Sequence, residues 1–105
     1  MTTSAGDGGP QEEYKTLMGA RVLYPPDVPD DILEDVIQKA QRLTEEHNPD
    51  REGQRIAEAM KHELDQKWGP YWHVIVGRHF GTYVISSTQR FVYFYLGPHA
   101  FCVYK

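Results

Sequence analysis

The sequence predicts an α+β domain, with two helices packed on one face of an antiparallel sheet. Two stretches repeat large apolar residues at helical spacing, and four short runs rich in aromatic and β-branched residues follow them. Charge divides the chain in the same way. Residues 27–67 hold twelve acids and six bases, whereas residues 68–105 hold no Asp or Glu and only Arg78, Arg90 and Lys105 as bases. Eleven of the thirteen aromatic residues also lie in that acid-free part, so a charged helical half precedes an almost uncharged strand half.

Residues 1–18 include Gly6, Gly8, Gly9 and Pro10 and few large apolar groups, which predicts a disordered tail that cannot offset its ordering entropy by burial. The ordered domain is expected over residues 19–105. Arg21-Val22-Leu23-Tyr24 is a short extended run ended by Pro25-Pro26. Pro29 and the acids Asp30, Asp31 and Glu34 mark a helix start, because negative charge suits the exposed amide end. Ile32, Val36, Ala40 and Leu43, flanked by Leu33 and Ile37, form the apolar stripe of that helix, and Asn48-Pro49 ends it. Asp50 is expected to cap a second helix, whose stripe is Ile56, Met60, Leu64 and Trp68 and whose stop is Gly69-Pro70. Strands are expected from Tyr71 to Val76, Phe80 to Ile85, Phe91 to Leu96 and His99 to Tyr104, with turns at Gly77-Arg78 and Gly97-Pro98.

Several function classes fall away on composition. A formal net charge of −4 argues against nucleic acid as the partner. No apolar run approaches the ~18 residues of a membrane helix, and residues 1–10 lack a hydrophobic signal core. The single cysteine, Cys102, excludes an internal disulfide and a multi-cysteine zinc site, so a reducing compartment is the default expectation. His73 and His79 have no carboxylate near them in sequence, so no metal site is expected. Cys102, between Phe101 and Val103, reads as a core residue rather than a nucleophile. The Gly77-x3-Gly81 spacing is wrong for a phosphate loop, and no enzyme is expected.

The strand half carries the functional signal. Phe91, Tyr93 and Tyr95 alternate with Val92, Phe94 and Leu96, so both sheet faces are apolar, yet two helices cover only one. Each such side chain removed from water is worth roughly 1.5–3 kcal/mol. The second face is therefore expected to be a subunit interface, a ligand groove, or both. Tyr83, Tyr93 and Tyr95 suit that role, since a tyrosine joins an apolar ring to a hydroxyl that needs a partner.

Trp72-His73-Val74-Ile75-Val76-Gly77-Arg78-His79-Phe80-Gly81-Thr82-Tyr83-Val84 resembles the signature of the eight-kilodalton dynein light chain family. Phe91-Val92-Tyr93-Phe94-Tyr95-Leu96-Gly97, Ala100 and Lys105 continue the likeness, which runs from about Val22 to the last residue with a short insertion near Pro49 to Glu52, between the helices. The resemblance implies a dynein light chain domain over residues 19–105 that forms a strand-swapped dimer, with no catalytic activity and no cofactor. In that family the strand matching Phe80–Ile85 crosses to the partner's sheet. Extended segments of dynein intermediate chains or other disordered clients then add as one more strand in two symmetric grooves. By position, Phe80, Gly81, Thr82, Tyr83, Val84 and Ile85 would form the groove's edge and walls, and Tyr93, Tyr95 and Ala100 its floor. His73, Phe80, Tyr83, Val84 and Ile85 would lie at the dimer interface. There His73 would face its symmetry mate as an acid-sensitive switch, because facing imidazoles resist joint protonation.

The chain departs from that family at two places. Ile85-Ser86-Ser87-Thr88-Gln89 stands where the usual members read Thr-His-Glu-Thr-Lys, and Gly53-Gln54 stands where they have an acid and a lysine. These departures look like those of a specialised paralogue, of the sort that serves ciliary axonemal dyneins. A competing expectation follows: a structural subunit with a degenerate groove, acting through heterodimerisation with a related light chain. Cytoplasm, cytoskeleton and axoneme are the locations implied.

Overall fold

The computed structural model describes residues 13–78 and 91–105. In chain order they form β1 (Glu13–Leu17), β2 (Ala20–Tyr24), α1 (Asp30–Glu46), α2 (Pro49–Trp68), β3 (His73–Gly77), β4 (Phe91–Leu96) and β5 (His99–Tyr104). The described strands make one antiparallel sheet in the order β1-β2-β4-β5-β3, with both helices on one face. The expected α+β class is therefore observed, and β1 and β3 are the two edges of the described sheet.

Burial follows the predicted stripes. Ile32, Leu33, Val36, Ile37, Ala40 and Leu43 of α1 and Ile56, Met60 and Leu64 of α2 pack on Val22, Val92, Phe94, Phe101 and Val103. The Phe94 and Phe101 rings stack across β4 and β5 with centroids 5.0 Å apart. Trp68, the last residue of the α2 stripe, is only partly buried, and its indole N–H donates to Asp35 at 2.8 Å. Burial pushes the Asp35 carboxyl up, but the bonds from Trp68, Lys39 and Lys67 outweigh it and hold the group below the usual carboxylate value. Gly69 ends α2 at a φ of +85°, and the Lys105 ammonium donates to the Trp68 and Gly69 carbonyls at 3.2 Å each. The last residue of the chain thus satisfies carbonyls that the helix end leaves open.

Three expectations need correction. Residues 13–17, expected within a disordered tail over 1–18, form β1 instead. The Met18-Gly19 loop has φ values of +54° and +83°, the primed two-residue geometry that matches strand twist. The gain is in pairing with the β2 edge rather than in apolar burial, which is why composition missed it. The second helix is capped by Asn48, whose side chain accepts from the Asp50 amide at 2.9 Å, so Asp50 lies inside the first turn. Pro49 to Glu52, where the short insertion is expected, forms that first turn, with a kink at Glu52 (φ −121°, ψ 29°). The strand expected from Tyr71 begins at His73. The strand expected over Phe80 to Ile85 lies outside the described residues.

Candidate functional site

Strand alternation sorts the sheet into two faces. Val22, Val92, Phe94, Phe101 and Val103 meet the helices. On the other face Tyr93, Ala100 and Cys102 are buried, and Leu23, Phe91, Tyr95 and Tyr104 pack against them half-buried. The register brings them together: Tyr93 lies opposite Cys102, Tyr95 opposite Ala100, and Phe91 opposite Tyr104. The three proposed floor residues, Tyr93, Tyr95 and Ala100, are therefore contiguous. Ala100 is small beside the ring of Tyr95, and that difference in size shapes the surface.

Tyr93 and Tyr95 lie with ring centroids 5.8 Å apart. Burial, with a hydrogen bond to Tyr95 second, raises the Tyr93 phenol well above its ordinary value, so that phenol stays neutral. Burial also pushes the Cys102 thiol up to about 11, which suits a core residue and leaves almost no thiolate near neutral pH. The face continues to β2 and β1, where the Arg21 guanidinium sits 4.8 Å from the Tyr95 ring and 5.5 Å from the Tyr14 ring. Neither Tyr14 nor Arg21 was among the expected site residues, because Tyr14 fell in the presumed tail.

The opposite end of this face is more open. His73 on edge strand β3 is exposed, with its ring stacked on Tyr104 at a centroid distance of 5.0 Å. Ile75, two residues on, keeps 45% of its surface exposed. Of the residues assigned to the groove and interface, Phe80, Gly81, Thr82, Tyr83, Val84 and Ile85 lie outside the described residues.

A polar cluster marks where β3 ends. Asp50 accepts from Arg78 Nε at 2.9 Å and lies 2.9 Å from His99 Nε2, so one carboxylate ties α2 to the end of β3 and to the start of β5. The Arg78 bond first, and the His99 bond second, draw the Asp50 carboxyl down to about 2. A signal for this cluster was present in the sequence: a cation in an acid-free segment must find its carboxylate in the helical half. Gly53 lies one turn further along α2, where an added Cβ would stand 3.6 Å from the Val76 carbonyl oxygen. Among the described residues no group of three or more His, Cys, Asp or Glu side chains could hold a metal ion, and no helix is long and apolar enough to cross a membrane.

Comparison with known proteins gives consistent findings. Residues 21–105 match the family model described as Dynein light chain type 1. The chain is 44% identical over 79 residues to "Dynein light chain 1, cytoplasmic" of Candida glabrata, covering 75% of this chain and 88% of that protein. It is 42% identical to the protein of the same description from Saccharomyces cerevisiae, covering 75% and 83%. It is also 39% identical to a dynein light chain of Schistosoma mansoni, covering 80% and 91%. Among solved structures, the dynein light chain-like domain of a Fasciola hepatica calcium-binding protein superposes with a TM-score of 0.70. That likeness covers 86% of this chain and 94% of the other at 19% identity, and so bears on the fold alone.

Proposed function

The chain belongs to the dynein light chain family, whose members are non-catalytic subunits, and from that premise we propose that it dimerises and binds extended client segments by β-strand addition. The clients are segments of dynein intermediate chains or other disordered proteins, held in grooves at the dimer interface. The observation that carries this reading is the face opposite the helices. Tyr93, Tyr95 and Ala100 form a contiguous apolar floor there, and edge strand β3 presents exposed His73 and Ile75 beside it. An edge strand that exposes Ile75, on a domain this small, gains by association. In this reading residues 80–85 cross to the partner and supply the edge that accepts the client, and His73 meets its symmetry mate. The relatives described as cytoplasmic support a place in the cytoplasm and on the cytoskeleton.

Light scattering at micromolar concentration is expected to give a dimer mass. Titration with a Thr-Gln-Thr-type peptide is expected to saturate, and Phe80→Ala or Tyr93→Ala to weaken it. A monomer, or strand addition indifferent to both changes, overturns the reading. A second reading rests on Gly53-Gln54 and on Ile85-Ser86-Ser87-Thr88-Gln89, which replace the polar groups of the usual groove. It holds that the groove is degenerate and that the chain pairs with a related light chain in an axonemal dynein. A dimer that binds no such peptide, yet exchanges subunits with a second light chain, favours that alternative.

A further inference from the structure

The matched family residues begin at Arg21, and β1 (Glu13–Leu17) precedes them. This strand adds Tyr14 to the face that carries the tyrosine floor, where the Tyr14 and Tyr95 ring centroids lie 6.0 Å apart. Arg21, opposite Tyr95 in the β2–β4 register, is exposed, and its guanidinium lies against both rings. A guanidinium attracted to aromatic rings keeps N–H donors that a carboxylate can accept from. No carboxylate pairs with Arg21 among the described residues, as is also the case for Lys15, Arg51, Arg55 and Lys105. Among the described residues, the strands of this face offer Arg21 no acid either. Glu13 lies opposite Tyr24, whose ring packs with the helix-side core, and neither β4 nor β5 carries an acid.

We propose that Tyr14, Arg21 and Tyr95 form a carboxylate-binding subsite at the β1 end of the groove floor, selecting client segments with an acidic residue flanking the strand-adding core. The proposal rests on the groove reading above, because Tyr95 belongs to both. Its chemistry is that of a pre-oriented planar fork. The two rings restrict a side chain that would otherwise lose rotamer freedom on binding, so a carboxylate meets two parallel donors at reduced entropic cost. Lysine cannot reproduce this arrangement, since its ammonium is a point donor without a face to stack.

The test uses the full chain and end-blocked peptides that share a Thr-Gln-Thr core and differ only by Glu or Gln at one flanking position, scanned along both flanks. At one flank Glu is expected to bind about threefold to tenfold more tightly than Gln, the range of a surface ion pair improved by bidentate geometry. That ratio falls toward one in Arg21→Gln, shrinks in Tyr14→Ala, is not restored by Arg21→Lys, and declines with added salt. A matching peptide with a free C-terminal carboxylate at that flank separates a terminal carboxylate from an acidic side chain as the preferred source. Equal binding of Glu and Gln peptides at every position, or a Glu preference that persists in Arg21→Gln, overturns the subsite and leaves the groove standing. If no peptide binds the unaltered chain, the groove reading fails and the subsite fails with it.

Discussion

At the scale of single residues, the acid-free half of the chain sends its charges to the helical half. Arg78 and His99 both meet Asp50, and Lys105 meets the carbonyls that end α2. For Asp50 the pH dependence has a definite sign. Its folded value of about 2 lies below the ordinary 3.8, so the stabilisation is complete above the ordinary value and is lost as the pH falls toward 2. Carboxyl chemical shifts followed through an acid titration are expected to place the Asp50 midpoint near 2 and to return it toward its ordinary value in Arg78→Gln. A midpoint already near the ordinary value in the unaltered chain contradicts the cluster.

At the scale of elements, β1 is the segment most dependent on its turn. Met18 and Gly19 both hold positive φ, and the Gln41 side chain donates to the Met18 carbonyl, which ties the turn to α1. An alanine Cβ at Gly19 would find its nearest neighbour at 3.7 Å, an ordinary contact, so the cost comes from backbone conformation alone. Gly19→Ala is expected to cost about 1 kcal/mol in urea unfolding. Amide exchange should then quicken in β1 and hardly change across β4 and β5. A uniform loss of protection across the sheet would show that β1 is no separate unit.

At the scale of the whole molecule, edge strand β3 is where a second copy is expected. Ile75 is 45% exposed on an edge strand of the described sheet, so Ile75→Asp is expected to leave the protomer folded and to shift the mass toward monomer. Circular dichroism together with light scattering checks both halves of that statement, and a dimer that survives the change argues against β3 as the contact. In the proposed dimer, where His73 would meet its symmetry mate, acidification is expected to raise dissociation, because two facing imidazoles would oppose joint protonation. His73→Ala is expected to remove that dependence, and unchanged pH behaviour in the variant retires the switch.

The sequence alone determined the two helical stripes, the β4 and β5 strands and the apolar character of both their faces. Each is a local pattern of apolar residues at a fixed period, and burial obeys such patterns wherever the chain goes. The resemblance to the dynein light chains was legible for the same reason, since its motif is carried by two unbroken stretches of the strand half, Trp72 to Val84 and Phe91 to Gly97. Only the tertiary structure decided that Glu13–Leu17 pairs with β2, that Asn48 rather than Asp50 caps α2, and that Arg21 lies near the rings of two tyrosines. Those outcomes depend on partners distant in sequence or on a choice between adjacent capping groups, and hydrophobic periodicity encodes neither.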